Sequence, residues 1–219
     1  MTHKPAPSKV DTLALPVFAG LDLPQIVVPA SAAQFEAAAC EIAAASAVGF
    51  DTESRPTFRL GEVSDGPHIV QFALPNKAFI FQLHHAPAHG PLVALLREPA
   101  LCKVGFGLGS DRSQILAKLG VVPQAVLDLN AVFSRRGYRR DMGVRAAVAL
   151  MFEQRFLKSK KTTTTNWAMP QLSAAQLRYA ANDAYAALRV WQALGEPGHE
   201  PEADPDREPP LRPAAPRPA

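Results

Sequence analysis

The chain has 219 residues, with 23 Lys and Arg against 20 Asp and Glu, 47% apolar and 20% charged residues, 21 prolines and two cysteines. That length suits one domain with tails and can enclose a sizeable core, and the composition excludes a wholly disordered chain. Cys40 and Cys102 lie far apart in no metal-ligand spacing, which argues against a disulfide scaffold or zinc module and fits a reducing compartment. No uninterrupted apolar run approaches the roughly 20 residues of a membrane helix, and Asp11 and the early prolines interrupt what a signal peptide would need. A cytoplasmic protein with no membrane association is expected.

The net charge of +3 is unevenly divided. From Gly195 onward come eight prolines, six acids and three arginines, which leaves the first 194 residues with 20 basic and 14 acidic side chains. The densest basic stretch, Arg135 to Lys161, sets nine basic residues against Asp141 and Glu153. Such a run is either a solvated face or the footprint of a protein that holds phosphates. Proline marks the boundaries: residues 1–25 read as a loosely attached N-terminal arm, 26–194 as the folded unit, and 195–219 as a disordered tail that cannot bury a core.

In chain order, Ser31 is the expected N-cap of an alanine-rich helix over SAAQFEAAACEIAAASA. AVGFDTE, HIVQFAL and AFIFQL follow as three strands, the first two joined across a hairpin loop. A helix near Pro91–Glu98, a short strand at Cys102–Val104 and a helix from Ser110 to Leu119 come next. VLDL is a further strand, with Asp128 placed to cap or open the helix at 129–134. Helices at 143–153 and Ser173–Leu194 complete the unit. A strand meander followed by alternating strands and helices predicts an α/β fold, a mixed sheet with helices on both faces.

Three groups carry the chemistry. Asp51 and Glu53 end the first strand, and strand alternation puts both on one face with Thr52 opposite. Two adjacent carboxylates repel unless a cation lies between them, and a hard divalent ion with oxygen ligands is the usual solution. The second group is Lys103 to Asp111, a strand running through Gly105, Gly107 and Gly109 into a helix. It imitates a dinucleotide-binding loop, with Asp128 as the ribose acid, but Ser110 stands where the third glycine belongs and Asp111 would face the pyrophosphate. Asp111 is otherwise a first-turn acid favoured by the helix dipole. In the third group, Tyr179 and Asp183 are four apart on the last helix and share a face. A mid-helix Asp is intrinsically unfavourable and asks for a reason. Four acids and a tyrosine together suit a centre of two divalent cations, Mg²⁺ or Mn²⁺, about 4 Å apart, acting on a phosphodiester.

In this order and local context, Phe50-Asp51-Thr52-Glu53, Asp111 and Tyr179-x-x-x-Asp183 resemble the three motifs of the DEDD superfamily of 3′–5′ exonucleases, in its tyrosine subclass. Residues 105–111, Asn166-Trp167 and the last helix are similar to the Werner-syndrome-type exonuclease domain, with ribonuclease D the next relative. The resemblance implies a ribonuclease-H-like fold and stepwise release of nucleoside 5′-monophosphates from the 3′ end of DNA or RNA. It also implies roles. Asp51, Glu53 and Asp183 would bind the tighter metal, Asp51 would bridge to the second, Asp111 would hold that ion through water, and Tyr179 would position the attacking water. Ser113 departs from the Werner-type pattern, which has an aromatic there, and cannot stack on a terminal base. Only a proline-rich tail follows the last helix, where ribonuclease D continues into helical domains. A non-catalytic nucleic-acid-binding module on the same fold is the alternative function, although no acid of the set is missing.

Around this set, Phe58 and Arg59 in the hairpin loop are candidates to clamp a 3′ end, or form a plain loop. Thr52 is a candidate substrate contact beside the metal strand. Lys158, Lys160 and Lys161 precede Thr162–Thr165 in a polar loop suited to salt-dependent backbone-phosphate contact. Trp167 reads as core packing against the last helix, and His84, His85 and His89 as solvated loop histidines.

Overall fold

The computed structural model describes residues 3–57, 61–139, 141–158 and 160–198, and for Lys160 and Lys161 the backbone only. The candidate clamp residues Phe58 and Arg59 and nearly all of the proline-rich tail lie outside this set.

Six strands form one mixed sheet in the order β1-β4-β3-β2-β5-β6: β1 (Ile26–Val27), β2 (Ala47–Glu53), β3 (Ile69–Leu74), β4 (Lys77–Gln82), β5 (Cys102–Gly105) and β6 (Val126–Asp128). β2, β3 and β4 are the antiparallel meander, while β1 pairs parallel to β4, and β5 and β6 extend the sheet in parallel from β2. The helices are α1 (Ala32–Ala43), α2 (His89–Arg97), α3 (Gly109–Leu119), α4 (Leu129–Arg135), α5 (Gly143–Phe152), the single turn α6 (Lys160–Thr163) and α7 (Ala174–Ala193). The expected mixed sheet with two covered faces is present. Two-residue β1 and one-turn α6 are additions, both too short to generate a periodicity; α6 occupies what reads as a polar loop. Among the described residues no helix is long and apolar enough to cross a membrane.

The strands sort their side chains as alternation requires. Val48, Phe50, Val70, Phe72, Phe79 and Phe81 face α1 and α2, where Phe35, Ile42 and Leu92 meet them. On the other face Ile69, Ala73 and Ile80 meet Tyr179, Ala180, Ala181 and Ala184 of α7. The alanines let α7 lie close to the sheet. Contact is tightest at Gly49, where any Cβ would collide with the Ala184 carbonyl, so glycine is required by close approach rather than by its dihedral angles. α7 opens with a capping box, in which Ser173 accepts from the Gln176 amide and the Gln176 side chain accepts from Ser173. Ser31 caps α1 in the same way, as expected.

The N-terminal segment differs from the loose attachment expected of it. Phe18 sits among Phe152, Phe156 and Tyr185 with ring centroids 5.7–6.2 Å apart. Phe18 N–H donates to Arg155 O, and Arg155 N–H to Pro16 O. Asn182 on α7 clasps Leu21 from both sides, its Oδ1 accepting from Leu21 N and its Nδ2 donating to Leu21 O at 2.6 and 3.0 Å. Gly20 is needed there because a Cβ would strike the Asn182 amide. Prolines block a regular ladder, but two apolar side chains, Phe18 and Leu21, find sockets without one.

Candidate metal centre

Asp51 and Glu53 project from the end of β2 toward α7, which brings Asp183 to meet them. One ligand oxygen from each of these acids lies within 4.8 Å of the others. The i, i+4 spacing sets Tyr179 one turn earlier on the same face. Its ring packs 5.8 Å from that of Trp167, which is buried as core. The Tyr179 hydroxyl accepts a hydrogen bond from Thr163 Oγ1 at 3.0 Å.

Asp111 is held differently. It lies in the first turn of α3 and accepts a hydrogen bond from the Thr52 hydroxyl, with a longer contact from Ser110 Oγ at 3.4 Å. Thr52, on the opposite face of β2 from its acidic neighbours, is thereby engaged with an acid of the centre. Two residues on, the Ser54 hydroxyl donates to Gln114 of α3 and ties the strand end to that helix. The glycine turn before α3 has no dinucleotide role to fill: Asp128 accepts from Gly107 N, Leu108 N and Asn130 N and so caps α4 while pinning the turn.

Lys158 is the principal departure from expectation. Instead of lying on an open loop, its Nζ reaches into the acidic cluster, 2.8 Å from Asp183 Oδ2 and 5.3 Å from the centroid of the Tyr179 ring. Arg145, which the sequence presents only as one of nine basic residues, donates to Lys158 O at 3.2 Å and anchors the backbone there. The His84, His85 and His89 positions converge on no metal-like cluster among the described residues, and His89 Nε2 contacts Leu83 O at 3.1 Å.

The electrostatics follow from one ammonium serving three carboxylates, Asp183 buried and Asp51 and Glu53 half-buried. Burial pushes the Asp51 carboxyl well above its ordinary range, and repulsion from Asp111, Asp183 and Glu53 adds to it. Burial likewise lifts Glu53 to about 8, with Asp183 adding repulsion and Lys158 opposing. Asp183 is raised by burial despite its bond to Lys158. Asp111 is raised by burial, while the Thr52 hydrogen bond pulls the other way. For Lys158, burial would favour the neutral amine, but Asp183 and the Tyr179 phenol outweigh it and hold the ammonium charged. Burial and Asp183 lift the Tyr179 phenol above its ordinary value, so it is protonated at neutral pH.

An all-oxygen donor set, a cation already drawn into it, and a buried Asp183 Oδ1 with no hydrogen-bond partner among the described residues all fit a divalent metal ion. A cavity of about 170 Å³ reaches the cluster, lined by Asp51, Phe106, Asn130, Lys158 and Asp183. Tyr179 instead lines a separate, larger cleft of about 530 Å³, together with Phe18, Leu21, Leu157 and Arg178.

A family model described as 3′–5′ exonuclease matches residues 26–197 of this chain. The chain belongs to the 3′–5′ exonuclease family. It is 30% identical over 149 residues to a 3′–5′ exonuclease of Arabidopsis thaliana, covering 67% of this chain and 52% of that protein. To the bifunctional 3′–5′ exonuclease/ATP-dependent helicase WRN of Mus musculus it is 28% identical over 153 residues, 69% of this chain and 11% of that one. The chain thus spans about half of the first relative and about a tenth of the second. In structure it matches Trypanosoma brucei RNase D, solved in complex with RNA U12, with a TM-score of 0.69 at 20% identity over 80% of this chain and 63% of that one, a likeness of fold. The matched segment contains all four acids and Tyr179.

Proposed function

We propose that this exonuclease-family chain hydrolyses phosphodiester bonds from the 3′ end of single-stranded DNA or RNA and releases nucleoside 5′-monophosphates. The observation that carries the reading is the convergence of Asp51, Glu53 and Asp183 on one point beside Tyr179. The three carboxylates would hold one divalent cation, Mg²⁺ or Mn²⁺, and Asp51 with Asp111 would hold a second. Bound there, the metal supplies a more acidic water and charge stabilisation for the phosphoryl oxygens and the leaving oxygen.

The chain's own residues account for the rest. The Tyr179 phenol, protonated and fixed by Thr163, orients the attacking water by hydrogen bonding and does not serve as the base. With Asp183 committed to metal, the Lys158 ammonium is released to meet a phosphate oxygen at the same cavity. The basic stretch around α4 and α5 draws the strand in, a contribution that weakens with salt.

A strand labelled at its 3′ end and the same strand labelled at its 5′ end test the reading directly. With Mn²⁺, the 3′ label is expected to appear at once as mononucleotide, while the 5′ label shortens through a ladder. Chelation with EDTA stops both. Release of the 5′ label first, or undiminished cleavage in EDTA, would overturn the assignment. Matched DNA and RNA strands in the same assay decide the sugar preference.

A further inference from the structure

Gln71 lies in the middle of β3 and is fully buried, yet neither its Nε2 nor its Oε1 has a hydrogen-bond partner among the described residues. Native interiors pair nearly all such groups, and each exception asks for a reason. The direction of the side chain supplies one. Ile69 and Ala73, two positions to either side, pack against α7, so Gln71 faces α7 as well. The register sets Asp51 directly opposite it on β2, and Ile80 opposite it on β4. Opposed residues of an antiparallel pair share a face with their Cβ atoms about 4.5–5.5 Å apart. The amide is therefore enclosed by an isoleucine, the alanine-lined face of α7 and one acid of the centre. Asp183 Oδ1 is a further buried polar atom without a partner among the described residues. Three of the four atoms so orphaned there belong to a single strand–helix interface around the candidate metal.

We infer that Gln71 is a positioning residue for Asp51: its Nε2–H donates to the Asp51 carboxylate in the metal-loaded centre and fixes the rotation that turns an oxygen toward the ion. Partners of this kind orient a ligand and raise its affinity for metal without touching the metal themselves. The inference rests on the metal-centre reading above and adds to it a residue outside the acidic motifs. An amide retained at this position is then a cost carried by the metal-free protein and recovered on loading. A glutamine kept for core packing would behave in the opposite way, since its loss would weaken the metal-free fold and leave metal affinity unchanged.

Gln71→Met, similar in shape and apolar, separates the two. Metal-free protein is titrated with Mn²⁺ by calorimetry, and its melting temperature is measured without metal. Mn²⁺ affinity is expected to fall about 10- to 100-fold, while the metal-free melting temperature holds or rises, because removing a buried unpaired amide is neutral or stabilising. Unchanged Mn²⁺ affinity would overturn the inference. So would a loss of affinity matched by a lower metal-free melting temperature, since a damaged core would explain both. If the wild-type chain takes up no Mn²⁺, the metal-centre reading fails and this inference with it; failure in the variant comparison alone leaves that reading standing.

Discussion

Within one centre the carboxylates occupy two unlike environments. Asp51, Glu53 and Asp183 crowd together on the β2–α7 side, with one ammonium among three acids. Asp111, on the α3 side, accepts from the Thr52 hydroxyl and sits in the first turn of a helix, where the dipole favours negative charge. The first group stores repulsion that a divalent ion relieves. The second is partly satisfied by neutral donors, although burial still raises it, so an ion there gains less and must compete with a hydroxyl. Rigidity follows the same division, since the triad stands on a strand and a helix locked together at Gly49. For the metal binding proposed above, the expectation is an ordered affinity, tight on the β2–α7 side and weak on the α3 side.

Replacing one acid from each environment is the sharpest way to break that contrast. Asp51→Asn keeps the shape and can still accept from Thr52 N–H, yet it removes a charge from the triad and from any bridge to a second ion. Exonuclease rate is expected to fall by about 10³-fold or more, a barrier increase of about 4 kcal/mol. Its metal-free melting temperature holds or rises, because one buried like charge is gone. Asp111→Asn is expected to lose about 10- to 100-fold in rate and to abolish only the weaker of two Mn²⁺ binding events. Calorimetry that shows both events lost in Asp111→Asn would erase the distinction between the two environments.

Lys158 measures how much of the triad's repulsion is relieved without metal. In Lys158→Met the three acids lose their counter-charge, and the metal-free protein is expected to melt about 2–4 °C lower, equivalent to about 1 kcal/mol for a partly exposed pair. Mn²⁺ should then bind about fivefold more tightly, since no ammonium has to be displaced from Asp183. Weaker Mn²⁺ binding in this variant would show that Lys158 supports the loaded centre rather than competing with the ion.

How far this contrast was legible beforehand depends on which interactions are local. Alternation along a strand places Asp51 beside Glu53, helical spacing places Tyr179 beneath Asp183, and a glycine turn puts Asp111 at a helix start. Each is a matter of a few residues, and each stands where the periodicities put it. Lys158 was legible as a base suited to phosphate contact on a polar loop but not as a partner of Asp183, because its entry into the acids depends on where the segment after α5 crosses the molecule. Gln71 shows as a polar residue in an apolar strand, but its opposition to Asp51 is a property of register, which no single strand carries. The docking of Phe18 and Leu21 is likewise tertiary: the prolines around them correctly exclude a regular element and say nothing of sockets formed by α5 and α7.

A pH series sharpens the comparison with the smallest change to the molecule. Glu53 titrates near 8 in the folded protein against about 4.5 in its ordinary state, and burial also raises Asp51 and Asp183. The folded chain therefore holds more protons than the unfolded chain across that interval. Stability contributed by these neutral acids is present below pH about 4.5 and lost as pH rises through the folded value near 8. Metal-free protein should melt progressively lower, by several degrees, from pH 5.5 to 8.5. Mn²⁺ binds the deprotonated acids and releases their protons, so its stabilising effect should grow over the same interval. Asp51→Asn should flatten the metal-free slope, and Asp111→Asn should leave most of it in place. A slope that is equally steep in wild type and Asp51→Asn would locate the stored repulsion somewhere other than the β2–α7 triad.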